Sequence, residues 1–266
     1  MTTPEVIVYR DGPLLAQAVA ARLVTGLTDA FAARGRASVV LTGGGIGTQV
    51  LAELAAAPAR DAIDWPQLDI WWGDERFVPA GDPDRNETGA RAALLDHVDV
   101  DPARVHPMPG PDGPDGDDPD AAAARYASWL ADAAKSGDGG PVPAFDVLML
   151  GIGPEGHVAS LFPGLPALDD KRPVVAVRNS PKPPPTRLSL TFPSIRVARE
   201  IWILASGEEK ADAVAQALSG ASPAQVPAAG ARGLQRTLFL LDSAAAAKVP
   251  PQISGLRNRS GTPASR

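Results

Sequence analysis

Residues 145–150, FDVLML, carry no charge after Asp146 and lead directly into a turn that contains three glycines. An apolar run of this length is typical of a strand that is buried on both faces of a parallel sheet. The glycines at 151, 153 and 156 let the backbone turn sharply and approach a ligand closely, and a helical pattern follows from about Val158. His157 is therefore expected just beyond the carboxyl end of a strand, where open α/β sheets bind their ligands.

Three interpretations of this turn compete. An imidazole two residues after Glu155 is suited to acid–base chemistry, whereas in a plain strand-to-helix turn His157 would only cap the helix. Residues 151–156 also match the dinucleotide-binding pattern G-x-G-x-x-G. That match is disfavoured, because Glu155 would place a carboxylate where a pyrophosphate must lie. In addition, the next strand-like run, 174–177, ends without the acid that binds a ribose.

A second glycine loop follows another apolar run. Residues 37–41 are a predicted buried strand, and a helix is predicted from about 46 to 57. Between them lie Thr42, Gly43, Gly44 and Gly45. A strand, a glycine loop and a helix N-terminus together present free backbone N–H groups and the positive end of a dipole. We therefore favour phosphate binding over a plain tight turn, although no G-K-[ST] follows and the loop is not a P-loop.

Charged residues cluster in two further places. The apolar run 68–72 ends in Gly73, Asp74, Glu75 and Arg76, which either contact substrate at the rim of the sheet or simply lie in solvent. Four prolines surround Lys182 in residues 181–185, so that Lys182 and the following Arg187 are suited to rigid presentation to a substrate. A proline-rich ligand for an SH3-like partner is the disfavoured alternative. The remaining histidines, His97 and His106, are expected to be structural.

Composition excludes several classes of protein. A formal charge of −6 and a pI near 5.1 argue against a nucleic-acid surface. The absence of cysteine excludes thiol nucleophiles, disulfides and thiolate metal sites. The first residues show no basic segment followed by an apolar core, and no uncharged apolar run reaches about 18 residues. We expect a soluble, unexported cytoplasmic protein that does not bind membranes.

Short strand patterns alternate with helical patterns along the chain, and no internal repeat is present. This order predicts an α/β fold with a doubly wound, largely parallel sheet and helices on both faces, as in Rossmann-like proteins. We expect residues 1–248 to form a single α/β catalytic domain and residues 249–266 to form a disordered tail. The Pro/Gly/Asp-rich stretch 109–119 is predicted to be a mobile acidic surface loop.

Five blocks of this sequence resemble the 6-phosphogluconolactonases, in particular their actinobacterial members. The blocks are LTGGG (41–45), WWGDERFVP (71–79), GIGPEGHVASLFPG (151–164), SPKPPPTRLSLTFP (180–193) and SGEEKADAV (206–214). They occur in the family order within residues 5–248. The resemblance implies a sugar-phosphate isomerase/deaminase-like fold and a hydrolase without cofactor. Such an enzyme opens 6-phospho-D-glucono-1,5-lactone to 6-phospho-D-gluconate in the oxidative pentose phosphate pathway.

The residues and the resemblance together predict an active site without a metal. The predicted catalytic residues are His157 as general base, Glu155 beside it, and Arg76. Backbone N–H groups around Gly153, or Arg76, are expected to stabilise the oxyanion. The predicted substrate-binding residues are Thr42, Gly43, Gly44, Gly45, Asp74, Gly153, Lys182, Arg187 and Lys210. The expected partner is a small sugar-phosphate lactone, and we expect a monomer rather than an oligomer.

One departure from the family and two alternative functions follow from the same comparison. Many family members have Asp-Gly-His where this chain has Glu155, Gly156 and His157. The related glucosamine-6-phosphate deaminases and isomerases are the enzymatic alternative, but they carry an acid five residues after the histidine, where this chain has Phe162. A non-catalytic sugar-phosphate-binding regulator is the second alternative, although no basic helix or separate DNA-binding domain is visible.

Overall fold

The computed structural model describes residues 2–135 and 140–254. The strands in this part of the chain are β1 (Glu5–Tyr9), β2 (Ala37–Leu41), β3 (Leu68–Trp72), β4 (Asp74–Arg76), β5 (Val147–Gly151), β6 (Val174–Val177), β7 (Arg187–Leu190), β8 (Glu200–Ala205) and β9 (Arg236–Asp242). The helices are α1 (Gly12–Arg34), α2 (Gly44–Ala56), α3 (Asn86–Ala93), α4 (Pro119–Lys135), α5 (Phe192–Ile195), α6 (Ala211–Leu218) and α7 (Pro251–Ser254).

A six-stranded parallel sheet forms the centre of the fold, in the order β1-β9-β8-β5-β2-β3. Within this sheet, the strand that follows β2 is its neighbour β3 on one side, and the strand that follows β5, after β6 and β7 of a second sheet, is its neighbour β8 on the other. Adjacent strands whose connections diverge in this way define a topological switch point, with a crevice at their carboxyl ends. The glycine loops after β2 and β5 both open into that crevice. The α/β class and the largely parallel sheet agree with the prediction.

A second, antiparallel sheet in the order β4-β7-β6 was not predicted. Residues 174–177 and 188–192 have strand patterns and were expected in a largely parallel sheet, whereas β6 and β7 (Arg187–Leu190) pair antiparallel in this small sheet and Phe192 opens α5. The chain leaves β3 at Gly73, whose N–H donates to Leu41 O (3.1 Å) and whose carbonyl accepts from Leu190 N–H (2.9 Å). Buried side chains of both sheets join one contiguous apolar core.

Helix α1 follows its sequence signals closely. The Asp11 carboxylate accepts a hydrogen bond from the N–H of Leu14 (3.0 Å), and Gly35 ends the helix in the left-handed region at φ 67°. Apolar residues recur every four positions from Leu15 to Phe31, which predicts one buried stripe, and Leu15, Leu23 and Leu27 of this stripe are buried. By length and composition alone, α1 would also be able to cross a membrane, and 44% of its most apolar window is buried inside the protein.

Three local predictions differ from the structure. The helix expected from Val158 does not form; residues 158–165 make successive turns, with a bridge between Val158 and Leu161. The sequence predicts a helix that covers Ala90–His97, but α3 ends at Ala93 and is followed by a 3₁₀ turn. In the acidic loop 109–119, whose mobility stays a prediction, Asp115 forms hydrogen bonds of 2.6 and 2.8 Å with Arg125. Of the predicted disordered tail 249–266, residues 251–254 form α7, with Ile253 packed against the core, and residues 255–266 lie outside the described residues.

Candidate active site

A cleft of about 580 Å³ opens at the switch point between β2 and β5. It is lined by every predicted site residue except Glu155, namely Thr42, Gly43, Gly44, Gly45, Asp74, Arg76, Gly153, His157, Lys182, Arg187 and Lys210. A larger cavity of about 850 Å³ lies near the amino ends of β2, β3 and β5. That cavity is lined by none of the predicted site residues, but its lining includes His106, which stacks on Trp71 with ring centroids 3.8 Å apart. We therefore place the candidate active site in the smaller cavity, called the switch-point cleft below.

The first glycine loop brings a helix N-terminus to the cleft. Helix α2 begins at Gly44, which has a φ of 82° that glycine adopts without strain. The first N–H groups of a helix have no acceptor within it, so those of Gly44 and Gly45 are directed to a ligand or to solvent. Thr42 joins this loop to the second one, because its Oγ1 accepts a hydrogen bond from the N–H of Gly151 at 3.2 Å. The Thr42 hydroxyl keeps its own proton for donation to an anion.

The second glycine loop closes on itself and thereby fixes His157. The N–H of Gly153 donates to the carbonyl of His157 (3.0 Å), and the N–H of Gly156 donates to the carbonyl of Gly153 (2.9 Å). A Cβ atom at position 153 would lie 2.0 Å from Nδ1 of His157, so only glycine leaves room for the imidazole. These N–H groups were predicted as oxyanion donors, but their hydrogen bonds inside the turn leave them unable to serve a substrate in this conformation.

His157 and Glu155 form a hydrogen-bonded pair. The distance from Nδ1 of His157 to Oε1 of Glu155 is 2.9 Å, and the imidazole packs on the Phe162 ring with centroids 4.3 Å apart. Burial lowers the pKa of His157 below its usual 6.5, although the Glu155 carboxylate acts in the opposite direction. A neutral ring that shares Nδ1–H with a carboxylate leaves Nε2 as a proton acceptor.

Glu155 is shared between two partners. Its second oxygen, Oε2, lies 3.3 Å from Nζ of Lys182. Burial by itself would raise the pKa of Glu155, but its own backbone N–H, His157 and Lys182 together hold that pKa below its usual value. The longer side chain found here in place of the family's aspartate therefore reaches both partners as an anion.

The predicted cations of the cleft have different surroundings. Lys210 has 22% of its side chain exposed and lies 3.9 Å from Glu209, and burial lowers its pKa. Arg187 is 4% exposed, and its guanidinium donates to backbone carbonyls of the neighbouring loop through Nε and Nη2. Its Nη1 makes no hydrogen bond with the described residues. Arg76 lines the cleft and donates to the carbonyl of Asp84.

Two polar residues of the cleft region were not singled out from the sequence. Ser160 is fully buried and donates to Oδ2 of Asp74 at 2.6 Å. Asn86, 8% exposed, donates through its side-chain nitrogen to the backbone carbonyl of Asp74 at 2.9 Å. In the sequence, Asn86 lies within the charged stretch 84–87 that opens a helix, and this was a signal for it. Nothing near Ser160 in the sequence points to Asp74.

The carboxylate of Glu75 fixes the strand that carries Asp74 and Arg76. Its oxygens accept hydrogen bonds from the N–H groups of Arg76 (2.8 Å), Asn86 (2.7 Å) and Glu87 (2.9 Å). Burial raises the pKa of Glu75 to about 7, against the effect of Arg85 and of these hydrogen bonds. Glu75 thus ties β4 to the N-terminus of α3, and so sets where Arg76 meets the cleft.

Comparison with known proteins gives the family. A family profile described as glucosamine-6-phosphate isomerases/6-phosphogluconolactonase matches residues 10–239. A 6-phosphogluconolactonase of Streptomyces coelicolor is 61% identical over 252 residues, which are 94% of this chain and 97% of that protein. The solved 6-phosphogluconolactonase of Trypanosoma brucei is 30% identical, with a TM-score of 0.78 over 94% of this chain and 100% of that one.

A solved monomeric glucosamine-6-phosphate deaminase shares the fold, with 21% identity and a TM-score of 0.75 over 92% of this chain and 99% of that one. Fold and cleft together place the protein among the α/β proteins of the glucosamine-6-phosphate isomerase and 6-phosphogluconolactonase type. Within that class, the chain belongs to the 6-phosphogluconolactonase family. The predicted family, enzyme class and α/β fold are confirmed.

Proposed function

We propose that this protein hydrolyses 6-phospho-D-glucono-1,5-lactone to 6-phospho-D-gluconate in the cytoplasm, with His157 as the general base. The observation that carries this proposal is the 2.9 Å contact between Nδ1 of His157 and Glu155 at a cleft that is also lined by a helix N-terminus and Lys210. A base and an anion site in the same cleft match a substrate with an ester carbonyl and a phosphate.

The addition step uses the free nitrogen of His157. A water molecule attacks C1 of the lactone while Nε2 of His157 takes one of its protons. The carbonyl π electrons move to oxygen, and the imidazolium that forms is stabilised by the Glu155 carboxylate on Nδ1–H. Because Gly153 and Gly156 use their N–H groups within the turn, we assign stabilisation of the oxyanion to the Arg76 guanidinium.

The collapse step returns the proton. The C1–O5 bond breaks as the carbonyl re-forms, and Nε2–H of His157 protonates the departing ring oxygen, which becomes the 5-hydroxyl of the product. The new carboxylic acid ionises in solution. One neutral histidine with an anionic partner therefore supplies the proton transfers of the whole cycle.

The phosphate of the substrate is assigned to the first glycine loop. The N–H groups of Gly44 and Gly45, the Thr42 hydroxyl and the Lys210 ammonium provide donors and positive charge in the cleft. Nη1 of Arg187 provides a further donor. Gly43 shapes the loop, and Asp74, held by Ser160, is assigned to the sugar hydroxyls.

Residues 1–248 are proposed to act as one catalytic domain and as a monomer. The residues that line the cleft lie between Thr42 and Lys210, and the core is continuous across both sheets. The cleft therefore needs no second chain to complete its set of cations and its base. Sedimentation of the purified protein tests the monomer, and a dimer whose dissociation abolishes activity would contradict it.

The deciding experiment assays freshly generated 6-phosphogluconolactone beside glucosamine 6-phosphate. We expect accelerated hydrolysis of the lactone and no ammonia release from the amino sugar, because position 162, where deaminases carry an acid, holds a phenylalanine that is 1% exposed. Ammonia release without lactone hydrolysis would replace the proposed function by a deaminase. Tight binding of both compounds without turnover would indicate a regulator.

A further inference from the structure

The loop of residues 180–187, called the proline loop below, is built around the backbone of Lys182. The Ser180 hydroxyl accepts from the N–H of Lys182 (3.3 Å) and donates to the carbonyl of the same residue (3.0 Å). Ser180 is itself 8% exposed, and its N–H donates to the carbonyl of Pro185 at 2.9 Å. Both polar backbone groups of Lys182 are therefore held by one buried serine.

Arg187 closes the proline loop from the other side. Its Nη2 donates to the carbonyls of Lys182 (3.1 Å) and Pro183 (3.2 Å), and its Nε donates to the carbonyl of Pro184 (3.2 Å). A buried guanidinium needs acceptors to offset the loss of hydration, and three consecutive carbonyls supply them. The proline residues cannot donate hydrogen bonds, so the donors that hold this loop are those of Ser180, Lys182 and Arg187.

The side chain of Lys182 extends from this rigid loop to Glu155, 27 positions earlier in the chain. Its ammonium meets Oε2 of Glu155 at 3.3 Å, while Oε1 of the same carboxylate meets Nδ1 of His157 at 2.9 Å. A carboxylate that is held at both oxygens has a defined rotation about its terminal bond, which is otherwise soft. The lysine therefore decides how the carboxylate faces the imidazole.

We propose that Lys182 is a positioning residue which, through the Glu155 carboxylate, fixes His157 in the tautomer with Nδ1 protonated and Nε2 free to accept a proton. This inference rests on the proposed role of His157 as general base. It gives Lys182 a role at the carbonyl end of the cleft, and gives Arg187 the role of holding Lys182 in place. An imidazole tautomer is set by the hydrogen bond of its other nitrogen, which here depends on the pinned carboxylate.

Nitrogen NMR of the resting protein tests the positioning directly. The chain has three histidines, and the His157→Gln variant assigns the His157 signals by their loss. At pH 8 we expect wild-type His157 to be mainly in the Nδ1–H form, Lys182→Met to lower that fraction, and Lys182→Arg to restore it. Exposed Lys171, outside the cleft, gives the control Lys171→Met, which should match the wild type. An unchanged tautomer in Lys182→Met overturns the proposal.

Kinetics with two substrates separates positioning from phosphate binding. We expect Lys182→Met to lower kcat/KM by about two- to fivefold, the range for a partly exposed ion pair, and by the same factor for the phosphorylated and unphosphorylated lactones. In a Glu155→Gln background the same substitution should have less than about a twofold effect, because its target carboxylate is gone. A loss confined to the phosphorylated lactone, or an equal loss in the Glu155→Gln background, shows direct substrate binding and overturns the proposal.

Failure of the proposed function and failure of the positioning role of Lys182 give different results. If His157→Gln keeps wild-type turnover, His157 is not the base, whatever the tautomer measurements show. If His157→Gln loses turnover while Lys182→Met changes neither the tautomer nor kcat/KM, the base stands and the positioning role of Lys182 is wrong.

Discussion

The side-chain oxygen of Asn86 occupies the space in which a side chain on Gly43 would begin, since a Cβ atom on Gly43 would lie 1.8 Å from it. Asn86 is held by its bond to the carbonyl of Asp74 and is 8% exposed, so it has little freedom to move aside. The glycine loop and the N-terminus of α3 are therefore fitted to each other across the cleft, and residue 43 must be glycine for packing as well as for anion binding.

Gly43→Ala should destabilise the protein by about 1 to 3 kcal/mol, the usual range for overpacking a fitted site. Urea unfolding monitored by tryptophan fluorescence measures this change. Gly45→Ala is the matched control in the same loop, because its Cβ would meet no atom within 4 Å. We expect its free energy of unfolding to stay at or above the wild-type value. Equal stability of Gly43→Ala and Gly45→Ala would show that the Asn86 side chain moves aside without a cost in stability.

The pH dependence of turnover should follow the neutral fraction of His157. Because burial holds the pKa of this imidazole below 6.5, kcat/KM should rise with pH through a midpoint below 6.5 and reach a plateau by pH 7. His157→Ala should lower kcat by about two orders of magnitude or more while keeping a cooperative unfolding transition. A profile without an acid limb, or a His157→Ala variant that is active, would contradict the general base.

Much of this site was predictable because its parts are local in sequence. The strands predicted at 37–41, 68–72 and 174–177 match β2, β3 and β6. Both glycine loops follow buried strands, and parallel strands place their carboxyl ends at one edge. The cleft therefore follows from strand ends and glycine positions, without knowledge of any side-chain contact.

The remainder depends on contacts between distant residues. The runs that form β6 and β7 resemble strands of the parallel sheet, but they pair with each other antiparallel through residues 178–186, and β7 also pairs with the distant β4. The apolar residues after Val158 have helical spacing, but Pro163 and Gly164, with φ 73°, prevent a helix of any length. The contact of Lys182 with Glu155 likewise has no sequence signal.

Glu75 predicts how stability depends on pH. Its pKa is raised from 4.5 to about 7 by burial, so between these values the folded protein binds more protons than the unfolded chain. The contribution of Glu75 to the free energy of unfolding is therefore present below about pH 4.5 and is lost as the pH rises through about 7. Urea unfolding at pH 5 and pH 7.5 measures how far the free energy of unfolding falls between these two pH values. We expect that fall to be smaller in Glu75→Gln than in the wild type. Glu208→Gln, at an exposed position, is the control. If the free energy of unfolding falls equally in Glu75→Gln and Glu208→Gln, Glu75 is not the source of the fall.

The last prediction assigns phosphate recognition to the side of the cleft formed by the first glycine loop and Lys210. Arg187 does not test it cleanly, since its loss would also release the proline loop. Lys210→Met should raise KM for the phosphorylated lactone by roughly ten- to a hundredfold, the value of one charge-assisted hydrogen bond. Turnover of unphosphorylated gluconolactone should change by less than about twofold, because that substrate never makes the contact. Sulfate should inhibit the wild type competitively and Lys210→Met much more weakly. If Lys210→Met instead impairs both lactones equally, this lysine acts at the carbonyl end, and the substrate lies in the cleft in the reverse direction.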